Sequence, residues 1–224
     1  MKPSPELDND GATRDAEGPA ALTGMRRTAR RWARSLLPVA VGALVVLTVR
    51  SSFADHYQVP TGSMEPTVQV GDRIAVAKAA YGLRLPLTEV WLARFDGPAR
   101  GDVVVFASPT DGTTLLKRVL GLPGEEVAVR DGRVLVGGRP LVVEERGGRT
   151  VEHAGTAVHA LDLSDGGGPD FGPVVVPADH YLVLGDHRGN SADGRYFGFV
   201  ARDALLGRAV AIFSRDGELG WDPL

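Results

Sequence analysis

Val127-Ala128-Val129-Arg130-Asp131-Gly132-Arg133-Val134-Leu135-Val136-Gly137-Gly138-Arg139-Pro140-Leu141-Val142-Val143 is a run of short β-branched segments cut by two-residue turn signals. Asp-Gly and Gly-Gly supply the positive φ a tight hairpin needs, and the valines between them favour extended chain. The pieces 127–129, 134–136 and 141–143 are too short for helices, so the stretch reads as successive antiparallel strands. Outward from it the same texture recurs at 73–77 and 102–106, each with a Gly-Asp step at its start, and at 115–120, 174–176, 181–184 and 206–213. Residues 145–172 are polar and glycine-rich, with Gly147-Gly148 and three glycines at 166–168, and read as a variable loop. No long amphipathic helix and no repeat follows residue 55. The expected fold class is mostly β, antiparallel sheets with a small inserted β subdomain.

At 224 residues the chain holds one domain of fair size, or a small domain with an insertion. A net charge of −3 gives no case for nucleic-acid binding. The absence of cysteine removes disulfides, thiolate zinc sites and cysteine nucleophiles together. No residue spacing fits a metal loop, and no cofactor is expected. Lysine is rare: Lys2, Lys78 and Lys117 stand beside 22 arginines. A retained lysine points to something arginine cannot do, and losing a proton is one such thing.

Residues 1–31 read as a disordered cytoplasmic tail with a basic flank, carrying Arg26, Arg27, Arg30 and Arg31. An uncharged apolar run over 36–49 follows, and 32–54 is expected to be one transmembrane helix, with Arg34 and Arg50 reaching to the interfaces. The arginine bias places the N-terminus in the cytoplasm and the rest outside, in the plasma membrane, with the lipid bilayer as a partner. A cleavable signal peptide ending at Ser52-Phe53-Ala54 is the alternative. The remaining divisions are a first catalytic part over 55–126, an inserted hairpin and loop subdomain over 127–176, a second catalytic part over 177–214, and a tail over 215–224. Trp91, Leu92 and Phe95 form an apolar stretch suited either to a bilayer interface or to the core.

Three segments could carry chemistry. Val59-Pro60-Thr61-Gly62-Ser63-Met64-Glu65-Pro66-Thr67 sets one serine on a loop stiffened by two prolines, which aims a hydroxyl; alone it reads equally as a surface turn. Lys117 shares one strand face with Leu115 and Val119. Burial there lowers an amine pKa, and a fall of about 3 units makes roughly half the molecules neutral near pH 7.4, at about 4 kcal/mol. That suits a general base, although a strand lysine can also simply reach to water. The third segment is Gly185-Asp186-His187-Arg188-Gly189-Asn190-Ser191-Ala192-Asp193-Gly194-Arg195-Tyr196-Phe197-Gly198, a loop of acids, bases and small residues in which Asp and Arg can pair bidentately.

In this order, behind an apolar segment, these pieces resemble the bacterial type I signal peptidases. The likeness covers about 36–213 and also rests on Arg100-Gly101-Asp102-Val103-Val104-Val105-Phe106, Leu116-Lys117-Arg118-Val119 and Gly121-Leu122-Pro123-Gly124. It implies a membrane-bound serine–lysine endopeptidase that removes signal peptides from exported preproteins after small residues at −1 and −3, acting as a monomer. Carried over by motif, Ser63 is the nucleophile, Lys117 the general base, Ser191 the residue orienting the amine, and Thr61 an oxyanion donor with the Ser63 N–H. Tyr57, Val59, Pro60, Met64, Thr114, Leu115 and Leu116 flank the substrate; Arg118 with Asp186 and Asp193 with Arg195 are structural ion pairs. The sequence departs from the family at Thr61, His187, Gly189 and Gly194, where serine, asparagine, aspartate and serine are usual. Two rivals are a Ser-His-Asp site using His187 and Asp186, and a non-catalytic tethered β-rich binding domain. Self-cleaving repressors share the serine–lysine chemistry but carry a helix-turn-helix where this chain has an apolar segment.

Overall fold

The computed structural model describes residues 37–39, 42, 54–84 and 91–224. The chain forms two compact units, 1–46 and 47–224. Of the first, the described residues are helical and exposed. The expected membrane helix over 32–54 therefore lies almost wholly outside the described residues, among which no helix is long and apolar enough to cross a membrane.

Among the described residues the second unit has seventeen strands. The first six are β1 (Ala54–Gln58), β2 (Arg73–Ala77), β3 (Gly82–Arg84), β4 (Trp91–Arg94), β5 (Val103–Ala107) and β6 (Thr114–Gly121). Next come β7 (Glu126–Arg130), β8 (Arg133–Val136), β9 (Arg139–Pro140), β10 (Val143–Arg146), β11 (Arg149–Ala154), β12 (Ala157–Ala160) and β13 (Phe171–Val175). The last are β14 (His180–Leu184), β15 (Val200–Ala201), β16 (Leu205–Arg215) and β17 (Glu218–Pro223). Mostly β architecture with antiparallel pairing is as the sequence led us to expect. The main sheet runs β1-β2-β16-β5-β6-β14-β15, with β17 added alongside β16. β16 shares Arg208 between Ala77 of β2 and Val104 of β5, then shares Ala211 between Ala75 of β2 and Pro223 of β17, so one edge of this long strand serves two neighbours in turn.

The valine run of β5 explains the core. Flanked by β16 and β6, it is covered on both faces and so is apolar at every position instead of alternating. Val103 and Val105 pack into a cluster with Val59, Met64, Val68, Ile74 and Ile212. Val104 and Phe106 enter another with Val119, Val183 and Leu205 on the opposite face. Each such fully buried side chain contributes about 1.5–3 kcal/mol of transfer free energy.

Between β6 and β14 the chain leaves the main sheet to form a four-stranded sheet, β13-β7-β8-β9, and a three-stranded meander, β10-β11-β12. The turns expected at 131–132 and 137–138 form: Asp131 and Gly132 have φ of 47° and 74°, and Gly137 and Gly138 of 57° and 74°. The expectation of a loop over 145–172 is corrected. Gly147 and Gly148, at φ 59° and 74°, close a hairpin between β10 and β11, and apart from the two-residue turns at 147–148 and 155–156 only 161–170 lacks strand. The meander escaped notice because its inward face carries polar groups. Glu152 and His159 are buried there, so hydrophobic alternation is lost although strand alternation is kept.

The turn that carries Ser63 is closed at its base. Val59 N–H donates to the Asp72 carbonyl at 2.9 Å, and Gly71 N–H returns to the Val59 carbonyl at 2.8 Å. Asp72, 1% exposed, accepts from the Gln69 N–H at 2.8 Å and from Arg215 Nε and Nη2 at 2.9 and 2.7 Å. Burial pushes its carboxyl up, but Arg215 and the Gln69 N–H more than offset this and hold it below the ordinary value. A carboxylate with a lowered folded pKa adds stability that is present above its unfolded pKa and lost as pH falls through the folded one. Asp72→Asn should therefore lower the unfolding free energy by about 1–2 kcal/mol at pH 7, with the gap closing below about pH 4; denaturant titrations at both pH values read this directly.

Candidate active site

Lys117 comes from β6 and Ser63 from a single 3₁₀ turn, Gly62–Met64. They are 54 residues apart in sequence, and Lys117 Nζ lies 2.7 Å from Ser63 Oγ. Both residues are buried, Lys117 at 3% exposure and Ser63 at 9%. The amine also donates to the Leu116 carbonyl at 3.0 Å. Burial pushes the Lys117 amine down to about 8, against an upward pull from Asp193 and Asp186. At pH 7.4 about one molecule in five then carries the free amine, against about one in a thousand for an ordinary lysine.

Ser63 opens into a cleft of about 190 Å³, lined by Tyr57, Val59, Pro60, Thr61 and Met64 on one side and by residues 114–117 on the other. The cleft thus lies between β1 with the chain that follows it and the start of β6. Among the described residues, β1 has no partner on its outer edge and β6 none on its β14 side over the stretch before Arg118, where pairing with β14 stops, so both can take an added strand. Thr61 is exposed beside the cleft, and its hydroxyl makes no capping bond. The Ser63 N–H sits in the first turn of a one-turn helix, where no intrahelical acceptor exists.

The third segment packs directly behind. Arg118 Nε and Nη2 donate to the two oxygens of Asp186 at 2.8 and 2.6 Å, and Arg195 Nε and Nη2 to those of Asp193 at 2.8 and 2.7 Å. Asp193 also caps a short helix, α1 (Gly194–Phe197), and accepts the Gly185 N–H at 3.0 Å. Gly185 has no space for a side chain: a Cβ there would lie 2.3 Å from the Ser63 carbonyl oxygen and 2.4 Å from Ser191 Oγ. Ser191 is buried in this group, yet its hydroxyl makes no hydrogen bond, and the amine of Lys117 bonds Ser63 and Leu116 instead of it. His187 turns its ring to Asp165, with Nε2 at 3.0 Å from Oδ2. Only its backbone N–H meets Ser63, at the carbonyl, 3.3 Å away. The Ser-His-Asp alternative therefore has no geometry behind it. Leu92 and Phe95 are exposed, so the core option does not hold for those two.

Three buried side chains bear on this site without having been singled out in the sequence. Arg188, fully buried, donates to Glu152 through Nη2 at 2.5 Å and to the Gly185 carbonyl at 3.1 Å. His159 Nε2 lies 3.3 Å from Glu152 Oε2 and 3.7 Å from Asp186 Oδ1. Arg188 lies within the loop 185–198, whose acids and bases mark it in the sequence, but nothing in 149–160 marks Glu152 or His159 as buried.

A serine hydroxyl held against a desolvated amine, at the edge of an apolar cleft that can accept an extended chain, suits nucleophilic chemistry on a peptide without histidine. The family model described as signal peptidase, peptidase S26, matches residues 29–214. The chain is 38% identical over 177 residues to a probable signal peptidase I-2 of Synechocystis, covering 76% of this chain and 67% of that one. It is 36% identical over 198 residues to signal peptidase I of Leptolyngbya laminosa, covering 83% and 82%. Among solved structures it is similar to a signal peptidase I from Enterococcus faecalis, at 31% identity, 52% and 99% coverage, and a TM-score of 0.36. The chain belongs to the signal peptidase family, peptidase S26, and is an enzyme, a serine peptidase.

The lowered amine pKa has a cost that can be measured. Below about pH 8 the folded state carries a proton it holds poorly, and the penalty, about 3 kcal/mol for a shift from 10.5 to about 8, vanishes as pH rises through 10.5. Replacing Lys117 by Met removes the penalty and two hydrogen bonds, to Ser63 and to the Leu116 carbonyl. With about 1 kcal/mol lost for each bond, thermal unfolding of Lys117→Met at pH 7 should show a gain of about 1–2 kcal/mol that shrinks towards pH 10; a variant less stable than the parent at pH 7 would contradict it.

Proposed function

We propose that this enzyme cleaves N-terminal signal peptides from exported preproteins with Ser63 as nucleophile and Lys117 as general base. The observation that carries the reading is the buried 2.7 Å contact between Ser63 Oγ and Lys117 Nζ. The neutral amine takes the hydroxyl proton as Oγ attacks the carbonyl carbon of the −1 residue, giving a tetrahedral oxyanion. The Ser63 N–H, in the first turn of the one-turn helix, and the Thr61 hydroxyl, which makes no capping bond, are assigned to that oxyanion. On collapse the C–N bond breaks and the Lys117 ammonium returns its proton to the departing amine. The signal peptide remains as an ester on Ser63. Water, deprotonated by the same amine, then releases it. Ser191, buried and unpartnered beside Gly185, is assigned to accept a hydrogen bond from the amine and so turn its lone pair towards the attacking oxygen.

The substrate is read as an extended strand added between β1 and β6. Its −1 and −3 side chains point into the shallow apolar cleft lined by Tyr57, Val59, Met64, Leu115 and Leu116, with Pro60 and Thr114 at its borders. The limited volume supports small residues at both positions. Arg118–Asp186 and Asp193–Arg195 are assigned as ion pairs that keep the loop rigid. We assign 55–126 and 177–214 to the catalytic domain, 127–176 to an insert and 32–54 to a single membrane anchor, with the N-terminus cytoplasmic and the catalytic domain outside. The uncharged run over 36–49 behind five arginines supports the last assignment.

Lys117→Arg keeps charge and approximate length but cannot become neutral. With a preprotein substrate in detergent, Lys117→Arg and Ser63→Ala should each lose at least about 10³-fold in kcat, with folding intact. The parent's kcat/KM should fall as pH drops through about 8, because the protonated amine accepts nothing. Turnover by Lys117→Arg would end the serine–lysine assignment.

A further inference from the structure

The loop 185–191 lacks regular structure apart from a 3₁₀ turn over Arg188–Asn190, yet residues 185–188 are all buried. Buried irregular backbone must find its hydrogen bonds elsewhere. Much of this loop's support comes from the insert. Asp162 N–H donates to the Asp186 carbonyl at 2.9 Å, and Arg188 N–H donates to the Asp162 carbonyl at 3.0 Å. The Arg188 guanidinium, beyond its bond to Gly185, reaches the Gly132 carbonyl and Glu152.

Glu152 and His159 continue this contact into a line of buried side chains. Arg188 and His159 lower the Glu152 carboxyl against the upward push of burial. The His159 ring lies between Glu152 and Asp186, and Asp186 is held by Arg118 and by the Thr67 hydroxyl at 2.6 Å. One end of the line is on β11. The other is next in sequence to Lys117 and four residues beyond Ser63. The charged groups facing His159 are therefore Glu152 from its own meander and Asp186 from the loop, with Arg188 and Arg118 behind them. Buried pairs of this kind contribute little net stability, because desolvation offsets attraction, and apolar replacements of the same size are often as stable. Stability alone does not account for four buried charges and a histidine aligned on one loop.

We propose that Glu152 and His159 are positioning residues of the active site, fixing the loop 185–191 against Ser63 and Lys117 through Arg188 and Asp186. The proposal rests on the serine–lysine reading above. They touch neither substrate nor reacting atoms. Their effect is on the placing of Gly185 and Ser191.

The test uses the full chain in detergent with a preprotein substrate and four variants: Glu152→Gln, His159→Phe, the double variant Glu152→Leu with Arg188→Met, and Lys117→Arg. Glu152→Gln and His159→Phe should lose about 10–100-fold in kcat with KM within about twofold, since misplacement by about an ångström costs that much. The double variant should unfold at or above the parent's temperature and still be slow. Parental kcat in Glu152→Gln and His159→Phe, or losses that only track the unfolded fraction, or a rise in KM as large as the fall in kcat, overturn the proposal. An active Lys117→Arg overturns the reading beneath it instead.

Discussion

A single contact, an amine taken out of water and set 2.7 Å from a hydroxyl, imposes most of what surrounds it. Burial lowers the proton affinity of Lys117, but burial among carboxylates would restore it, and Asp186 and Asp193 both exert that pull. Each carboxylate is instead engaged by a guanidinium on both oxygens, Asp186 by Arg118 and Asp193 by Arg195. The fork of arginine saturates the acceptor sites that would otherwise capture the ammonium. The amine is left with a serine hydroxyl and one carbonyl. This is why an arginine-rich chain surrounds one retained lysine with bidentate pairs.

Much of this was legible in residue order. The Asp-Gly and Gly-Gly steps marked hairpins because positive φ at two successive positions is a local demand. The valine run 103–105 and the alternation around Lys117 were legible for the same reason, since strand environment is written at a period of two. Ser63 and Lys117 were not deducible from local chemistry alone; each had an ordinary reading as a turn or a strand lysine, and only their order among the other motifs joined them. The meander over β10 to β12 was missed because its inner face pairs charge with charge across more than twenty residues of sequence. Burial of Glu152 depends on Arg188 being opposite it, which no window along the chain contains. Ser191 was expected on the amine, and its hydroxyl instead stands without a partner.

The topology explains why the insert bears on the site at all. β6 and β14 are antiparallel neighbours in the main sheet, with Arg118 opposite Leu184 and Gly121 opposite Leu182. The insert departs from the Gly121 end of β6 and returns to the start of β14, so the end of β14 at Leu184 delivers the following loop beside Lys117. That loop leaves the sheet with its backbone unpaired on the side away from Ser63. The insert folds back to cover that side, giving Asp162 to its backbone and Glu152 to its arginine. A direct hairpin between β6 and β14 would keep the sheet but leave residues 185–188 facing water, where a glycine-centred loop has many conformations open to it. Covering the loop reduces those to one, and the desolvated amine needs that restriction: its hydroxyl partner is useful at hydrogen-bond distance and of no use an ångström further away.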